Sequence, residues 1–205
     1  MGFSIHSTKF LVYARKRGVC FTRTATIGRQ ELHLSADALR KNLSDFGYFT
    51  PDAAALRIHT DAPSRLAVTA RVARVRDSGT YALAEQAVAQ SSALAAGGTA
   101  TAIHMDKNSQ TTSSFGFVEV SGHDAVVHVS VVDGSTGAEL GANDYSVPAG
   151  NKIVANAADI LGTATASNLY FRFSVTSGDG QVVAYGLATD TLSGDASLVI
   201  ARNDP

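Results

Sequence analysis

Three features predict a mainly β fold built as an antiparallel two-sheet sandwich. From about Thr99 onward apolar and polar residues alternate with period two. Gly/Asp/Ser clusters interrupt that alternation at short intervals. A stripe of valines at Val127, Val129 and Val131 supplies a face that a second sheet can bury. Composition agrees: 45% hydrophobic and 17% charged residues over 205 positions can form a globular core, and they suit neither a disordered tail nor a heptad repeat.

The N-terminal elements are the less regular ones. Ser7 as cap and Gly18 as stop frame an amphipathic helix over Thr8–Arg17, followed by strands Cys20–Thr26 and Gln30–Leu34 around Gly28-Arg29. Ser35 caps a second helix, Ala36–Phe46, which ends at Gly47 and carries the stripe Leu39, Leu43, Phe46. After Pro51 come strands Ala54–Thr60 and Arg65–Arg76 and the turn Asp77-Ser78-Gly79. The Ala/Ser/Gln/Gly run Ala82–Gly98 has helical propensity and a linker's composition.

Seven strands follow: Thr99–Met105, Phe115–Val120, Ala125–Val132, Glu139–Val147, Asn168–Thr176, Gln181–Asp190 and Ser197–Ala201. Their turns are written in Asp, Gly and Ser, as in Asp133-Gly134-Ser135-Thr136-Gly137 and Leu192-Ser193-Gly194-Asp195. One interruption reads as helix, Asn151–Leu161, with Ile153, Val154, Ala157, Ala158 and Leu161 at three-and-four spacing and Gly162 as the C-terminal cap. The expected organisation is therefore an α+β segment over 1–81, a linker over 82–98 and a sandwich domain over 99–205.

A shift of about 115 residues brings two stretches into register. Ala55-Leu56-Arg57-Ile58 falls on Tyr170-Phe171-Arg172-Phe173, Leu66–Ala70 near Val182–Gly186, and Asp77-Ser78-Gly79-Thr80 on Leu192-Ser193-Gly194-Asp195. Nothing before residue 32 matches the strands of Thr99–Val147, so the first copy is a truncated one. Its strands Ala54–Thr60 and Arg65–Arg76 then need replacement partners, for which Cys20–Thr26 and Gln30–Leu34 are the candidates, with the helix Ala36–Phe46 across one face.

The landmarks Asp77-Ser78-Gly79-Thr80-Tyr81, Gly97-Gly98-Thr99-Ala100, Ser114-Phe115-Gly116-Phe117-Val118, Val131-Val132-Asp133-Gly134-Ser135-Thr136-Gly137, Val147-Pro148-Ala149-Gly150 and Asp190–Asp195 occur in a recognisable order. Over about residues 36–205 the chain resembles the immunoglobulin-like β-sandwich repeats near the C-terminal ends of large secreted bacterial proteases and surface proteins. The family commonly has Asn where Ser114, Glu119 and Thr191 stand, and Gly where Ala82 stands. The resemblance implies a non-catalytic accessory module with an adhesion, spacer or binding role, secreted or at the cell surface, meeting protein or carbohydrate there. Residues 1–49, through Gly18–Gln30, are weakly similar to the leader of bacterial methyltransferase-like proteins. That similarity implies the alternative, a methyltransferase-related or other small enzyme fragment using the N-terminal half. No Gly-rich strand-to-helix turn with a downstream acid follows, so no cofactor-binding residue carries over.

Charge and cysteine content narrow the remaining classes. Residues 1–50 hold eight Lys/Arg against three Asp/Glu, and the rest of the chain reverses the sign to leave a net −1 with pI ≈ 6.6, which argues against a general nucleic-acid binder. A single Cys excludes a disulfide framework within the chain and a Cys-based zinc site. No apolar run reaches membrane-spanning length. The start Met1–His6 lacks the charged and apolar regions of a secretion signal, and His6 stands where a myristoylation motif has Ser or Thr.

Chemistry-bearing residues are sparse, and the expectation is no catalytic, cofactor-binding or metal site. His123, Asp124 and His128 are the nearest approach to a ligand cluster, but the odd spacing of the two histidines aims them at opposite strand faces. Asp133, Asp190 and Asp195 offer oxygens suited to calcium or, more simply, to capping turns. Cys20 with Arg17 and Arg23, and His33 as a base, would need convergence in space to form a nucleophilic pair. Arg15-Lys16-Arg17 with Arg23 and Arg29, beside Phe10, Tyr13 and Phe21, reads as a solvated helix end rather than a phosphate site. Arg65, Arg71, Arg74 and Arg76 mark an exposed or edge strand.

Overall fold

The computed structural model describes five N-terminal strands at the level of the backbone, within 6–14, 20–27, 54–60, 69–76 and 79–86, and residues 87–204 in full. The chain divides into two compact units, Met1–Ala67 and Val68–Pro205.

In the first unit, β1 (His6–Ala14) is the central strand of an antiparallel three-stranded sheet, with β2 (Cys20–Ile27) on one side and β3 (Ala54–Thr60) on the other. Of the helix expected over Thr8–Arg17, the described part, through Ala14, is strand. The run Phe10-Leu11-Val12-Tyr13 holds two aromatics and a β-branched valine, and pairing along both edges outweighs its helical spacing. Ala54–Thr60 pairs with β1, and Cys20–Ile27, the partner expected for it, lies on the far side of β1. The expected strand Gln30–Leu34 and helix Ala36–Phe46 lie outside the described residues.

The second unit opens with the hairpin of β4 (Thr69–Arg76) and β5 (Gly79–Gln86). The run Ala82–Gly98 is thus neither helix nor linker at its start: Ala82–Gln86 completes β5. After a single 3-10 turn at Gln90–Ser92, the sandwich itself begins. Its strands are β6 (Thr99–Lys107), β7 (Thr111–Glu119), β8 (Ala125–Asp133), β9 (Glu139–Val147), β10 (Lys152–Asn156), β11 (Ala166–Gly178), β12 (Val182–Asp190), β13 (Ala196–Ile200) and β14 (Arg202–Asn203). All pairings are antiparallel. One sheet runs β10-β7-β12-β13, the other β14-β6-β11-β8-β9. The fold is mainly β, and the sandwich is built of two antiparallel sheets with one short α-helix among the described residues.

That helix, α1 (Ala157–Leu161), is shorter than the expected Asn151–Leu161 because β10 takes the first half. Ile153, Ala155 and Ala157 also alternate, and pairing of Lys152–Asn156 with β7 selects the extended form. The Asp159 carboxylate accepts the Asn156 N–H (2.8 Å), and Gly162 closes the helix at φ +60°.

The core lies between the sheets. Phe115 and Phe117 of one sheet meet Phe171, Phe173 and Tyr145 of the other, with the Phe115 and Phe171 rings 5.1 Å apart and edge-on. Val127, Val129, Val131, Val175 and Leu169 fill the space around them. The predicted stripe of valines does face inward. A paired irregularity shapes this layer: β6 sets Ile103 and His104 against Tyr170 of β11, and β11 sets Ser167 and Asn168 against Asp106 of β6. Asn168 sits at φ +56°, held by its N–H to Asp106 Oδ1 (2.8 Å) and its carbonyl to the Gly134 N–H (2.7 Å).

Removing the central ring tests this packing. Phe115→Ala is expected to cost about 3–5 kcal/mol of unfolding free energy in urea titration, the range for truncating a buried aromatic. Tyr145→Phe is expected to leave stability equal or raised, because the buried Tyr145 hydroxyl has no hydrogen-bond partner to lose.

Candidate functional site

Among the described residues, polar or cavity-forming groups gather at the two ends of the sandwich and in a cleft along one edge. At the first end the chain crosses between sheets three times, at 120–124, 148–151 and 179–181. Crossings leave backbone amides without ladder partners, and Glu119, the buried last residue of β7, collects them. Its Oε1 accepts from the Ser121 amide and hydroxyl and from the Gln181 N–H (3.3 Å). Its Oε2 accepts from Gly122 N (2.8 Å) and Gly150 N (2.7 Å). Burial pushes the carboxyl up, but the Ser121 hydroxyl and the amides of Gly150, Ser121 and Gly122 more than reverse this and hold it at about 2, against an ordinary 4.5. Asp124 adds a second clasp through Ala149 N (2.8 Å). Gly178, at φ +88°, and Gly180 permit the close approach, since a Cβ on either would strike the carbonyl oxygen of Asp124 or His123.

At the opposite end two hairpin turns share one design. Asp133 Oδ1 accepts the Ser135 and Thr136 amides while Gly137 N–H returns to the Asp133 carbonyl. Asp190 Oδ1 accepts the Leu192 and Ser193 amides while Gly194 N–H returns to the Asp190 carbonyl. Both glycines have φ above +70°. The amides of Ser135 and Thr136 hold the Asp133 carboxyl below its ordinary value, and the Ser193 amide and hydroxyl do the same for Asp190. Leu192, at the tip of its turn, is 93% exposed.

Along one edge a cleft of about 770 Å³ is lined by Val88, Ser91, Ser92, Ala184, Ile200 and Arg202, among others. It forms where the chain changes sheet. Leu94 pairs with Val182 in one sheet, and Gly97 N–H reaches the Val175 carbonyl in the other. On the return, Ala201 N–H reaches Ala184 before β14 joins β6. Arg202 is the ionisable residue of the lining, with Ser91, Ser92 and Asn203 as its polar companions. This set can orient an anionic or hydroxylated group but contains no nucleophile–base pair.

The residues singled out from the sequence are dispersed rather than convergent. His128 Nδ1 lies 2.7 Å from Asp144 Oδ1, its directly opposite partner on β9, while His123 is exposed in the preceding turn and Asp124 holds Ala149. Among the described residues no three His, Cys, Asp or Glu side chains converge as metal ligands. Asp195 accepts from the Ala196 amide within its own turn. Cys20 stands opposite Tyr13, and Arg23 opposite Phe10. Arg17, Arg29, His33, Arg65 and the run Arg15-Lys16-Arg17 lie outside the described residues. On β4, Arg74 and Arg76 share a face by register and Arg71 takes the other. Glu119 escaped notice as a hub; the only sign of it in the sequence is a charged residue at an inward-facing position just before Ser121-Gly122.

No family model matches the chain, and comparison with curated proteins and with solved structures finds no match either. No helix among the described residues is long and apolar enough to cross a membrane.

Glu119→Gln keeps the shape but turns an NH₂ group toward amide donors. It is expected to lower the unfolding free energy at neutral pH by about 2–3 kcal/mol. Because folding depresses this carboxyl, its contribution is complete above about pH 4.5 and is lost as pH falls toward 2. The gap between parent and variant urea midpoints should therefore close across that window. A gap independent of pH would refute the assignment.

Proposed function

We propose that the chain is a non-catalytic, immunoglobulin-like accessory module of a secreted or cell-surface bacterial protein, with a binding or adhesion role toward protein or carbohydrate. The observation that carries this reading is the disposition of the chain relative to its loops. Asp204 N–H bonds to the Thr99 carbonyl, so the polypeptide enters and leaves the sandwich at one end. That is also the end closed by Glu119.

The opposite end presents the turns at 108–110, 133–138 and 190–195, cross-linked by Thr191 to Ser109 and Gln110 and by Asn168 to Ser135. Loops held rigid on a sheet scaffold, away from the chain's attachment, suit recognition of a partner surface. The carboxylates at both ends are committed to backbone amides, which favours a structural role for them over acid–base chemistry. The landmark order from Asp77 to Asp195 adds the comparison with repeats of secreted bacterial proteins.

Solid-phase binding of the full chain to immobilised surface polysaccharides and surface proteins tests the proposal. Saturable binding is expected, weakened at least about tenfold, or about 1.4 kcal/mol, by Leu192→Asp with an unchanged thermal midpoint. Binding indifferent to the turn residues, or micromolar affinity for S-adenosylmethionine in calorimetry, would overturn it.

A further inference from the structure

The cleft beside Leu94 has a fixed floor and two unlike walls. Leu94 and Val182, both buried, exchange their backbone hydrogen bonds (2.8 and 2.9 Å), so the floor is itself a piece of sheet. One wall is the segment leading into that bridge, with Val88 and the 3-10 turn residues Ser91 and Ser92. The other wall begins with Val183 and Ile200, on the outer side of the four-stranded sheet by register, and continues with Arg202 and Asn203 as the chain crosses to β6. Its volume of about 770 Å³ lies within the roughly 300–1,000 Å³ of small-molecule sites.

The polar groups select the occupant. Arg202 is the ionisable residue of the lining, and its guanidinium makes no ion pair or hydrogen bond with a described residue. The side chains of Ser91, Ser92 and Asn203 likewise make no hydrogen bond to a described residue. The cleft therefore offers one planar cation, two hydroxyls and one carboxamide, all with free hydrogen-bonding capacity. A guanidinium fork matches a carboxylate through two parallel N–H···O bonds, and one cation balances one such charge. A phosphate dianion would be left half-neutralised, because the lining holds neither a second cation nor an α-helix N-terminus.

The remainder of the ligand follows from the other groups. An aliphatic acid would lay hydrocarbon over Ser91, Ser92 and Asn203 and displace their water without replacing its hydrogen bonds. A flat aromatic acid would find no ring in the lining to stack on. A saturated ring bearing hydroxyls meets both needs, with its C–H face on Val88 and Ile200 and its hydroxyls on the serines and the amide. We propose that the cleft binds a sugar acid, with its carboxylate on Arg202. This rests on the carbohydrate reading of the module but adds a second site, at the end where the chain enters and leaves, away from the distal turns.

Amide shifts of the isotope-labelled full chain, titrated with glucuronate, test the assignment. The amides of Ser91, Ser92, Arg202 and Asn203 are expected to shift and saturate together. The neutral methyl ester of glucuronate, hexanoate and inorganic phosphate should each bind at least about tenfold more weakly. Arg202→Gln, at an exposed position, should weaken glucuronate at least about tenfold with an unchanged thermal midpoint. Leu192→Asp should leave glucuronate binding intact, so that failure of the cleft and failure of the distal turns are read separately. No saturable shift at these amides, equal affinity for the methyl ester, hexanoate or phosphate, or glucuronate binding that survives Arg202→Gln or is lost with Leu192→Asp, would overturn the inference.

Discussion

A buried carboxylate at the end of one strand organises half of the sandwich. Each time the chain passes from one sheet to the other beside Glu119, an amide is left over, and the three passages return those amides to the same two oxygens. The bonds span residues 31 and 62 positions away along the chain, so the network unites loops that are remote in sequence. A neutral side chain in that position could accept from fewer donors, and water would have to enter to satisfy the rest. The second end solves the same problem locally, with Asp133 and Asp190 each serving only its own turn. One end is thus a single cooperative joint and the other a set of separate ones.

Much of the sandwich was legible in the sequence because its signals are local. Strands β6 to β9 and β11 to β13 follow the alternation, their turns follow Asp and Gly, and Glu139–Val147 has the limits its pattern suggests. The misses fall where two periods coincide or where propensity meets pairing. Ile153, Val154, Ala157 and Leu161 fit a helix, while Ile153, Ala155 and Ala157 fit a strand, and the neighbouring β7 decides between them. Ala82–Gln86 favours helix residue by residue, yet it has β4 to pair with. The segment His6–Ala14 is central in its sheet, a position that no property of those nine residues announces. Glu119 was visible only as a charged residue at an inward-facing strand position, since its partners are set by the folded chain.

The candidate site was less legible than the fold, for a physical reason. Spacing of histidines and aspartates indicates which strand face each occupies, but not whether residues from separate strands converge. Here the structure separates them: His128 is matched by Asp144 across a pair of strands, and Asp124 is tied to a backbone amide. The cleft beside Leu94 arises from two changes of sheet, at Leu94–Gly98 and at Ala201, neither of which has a compositional signature. Apolar character on the outside of the four-stranded sheet was equally hidden. Only the register sets Val118, Val183 and Leu187 on the side of the pleat away from Phe117, Val182 and Ala184.

The meeting of Thr99 and Asp204 also determines how the domain would bear load. β14 runs antiparallel to β6 and is joined to it at only two residue pairs, with both strands leading out at the same end. Tension applied through the two would open those hydrogen bonds one after another, like a zipper, instead of shearing a long ladder all at once. Lateral force on the distal turns would instead be carried by the full length of β8, β11 and β12. The sandwich is therefore a stiff platform when pressed or dragged from its far end and a weak link when stretched between its chain ends.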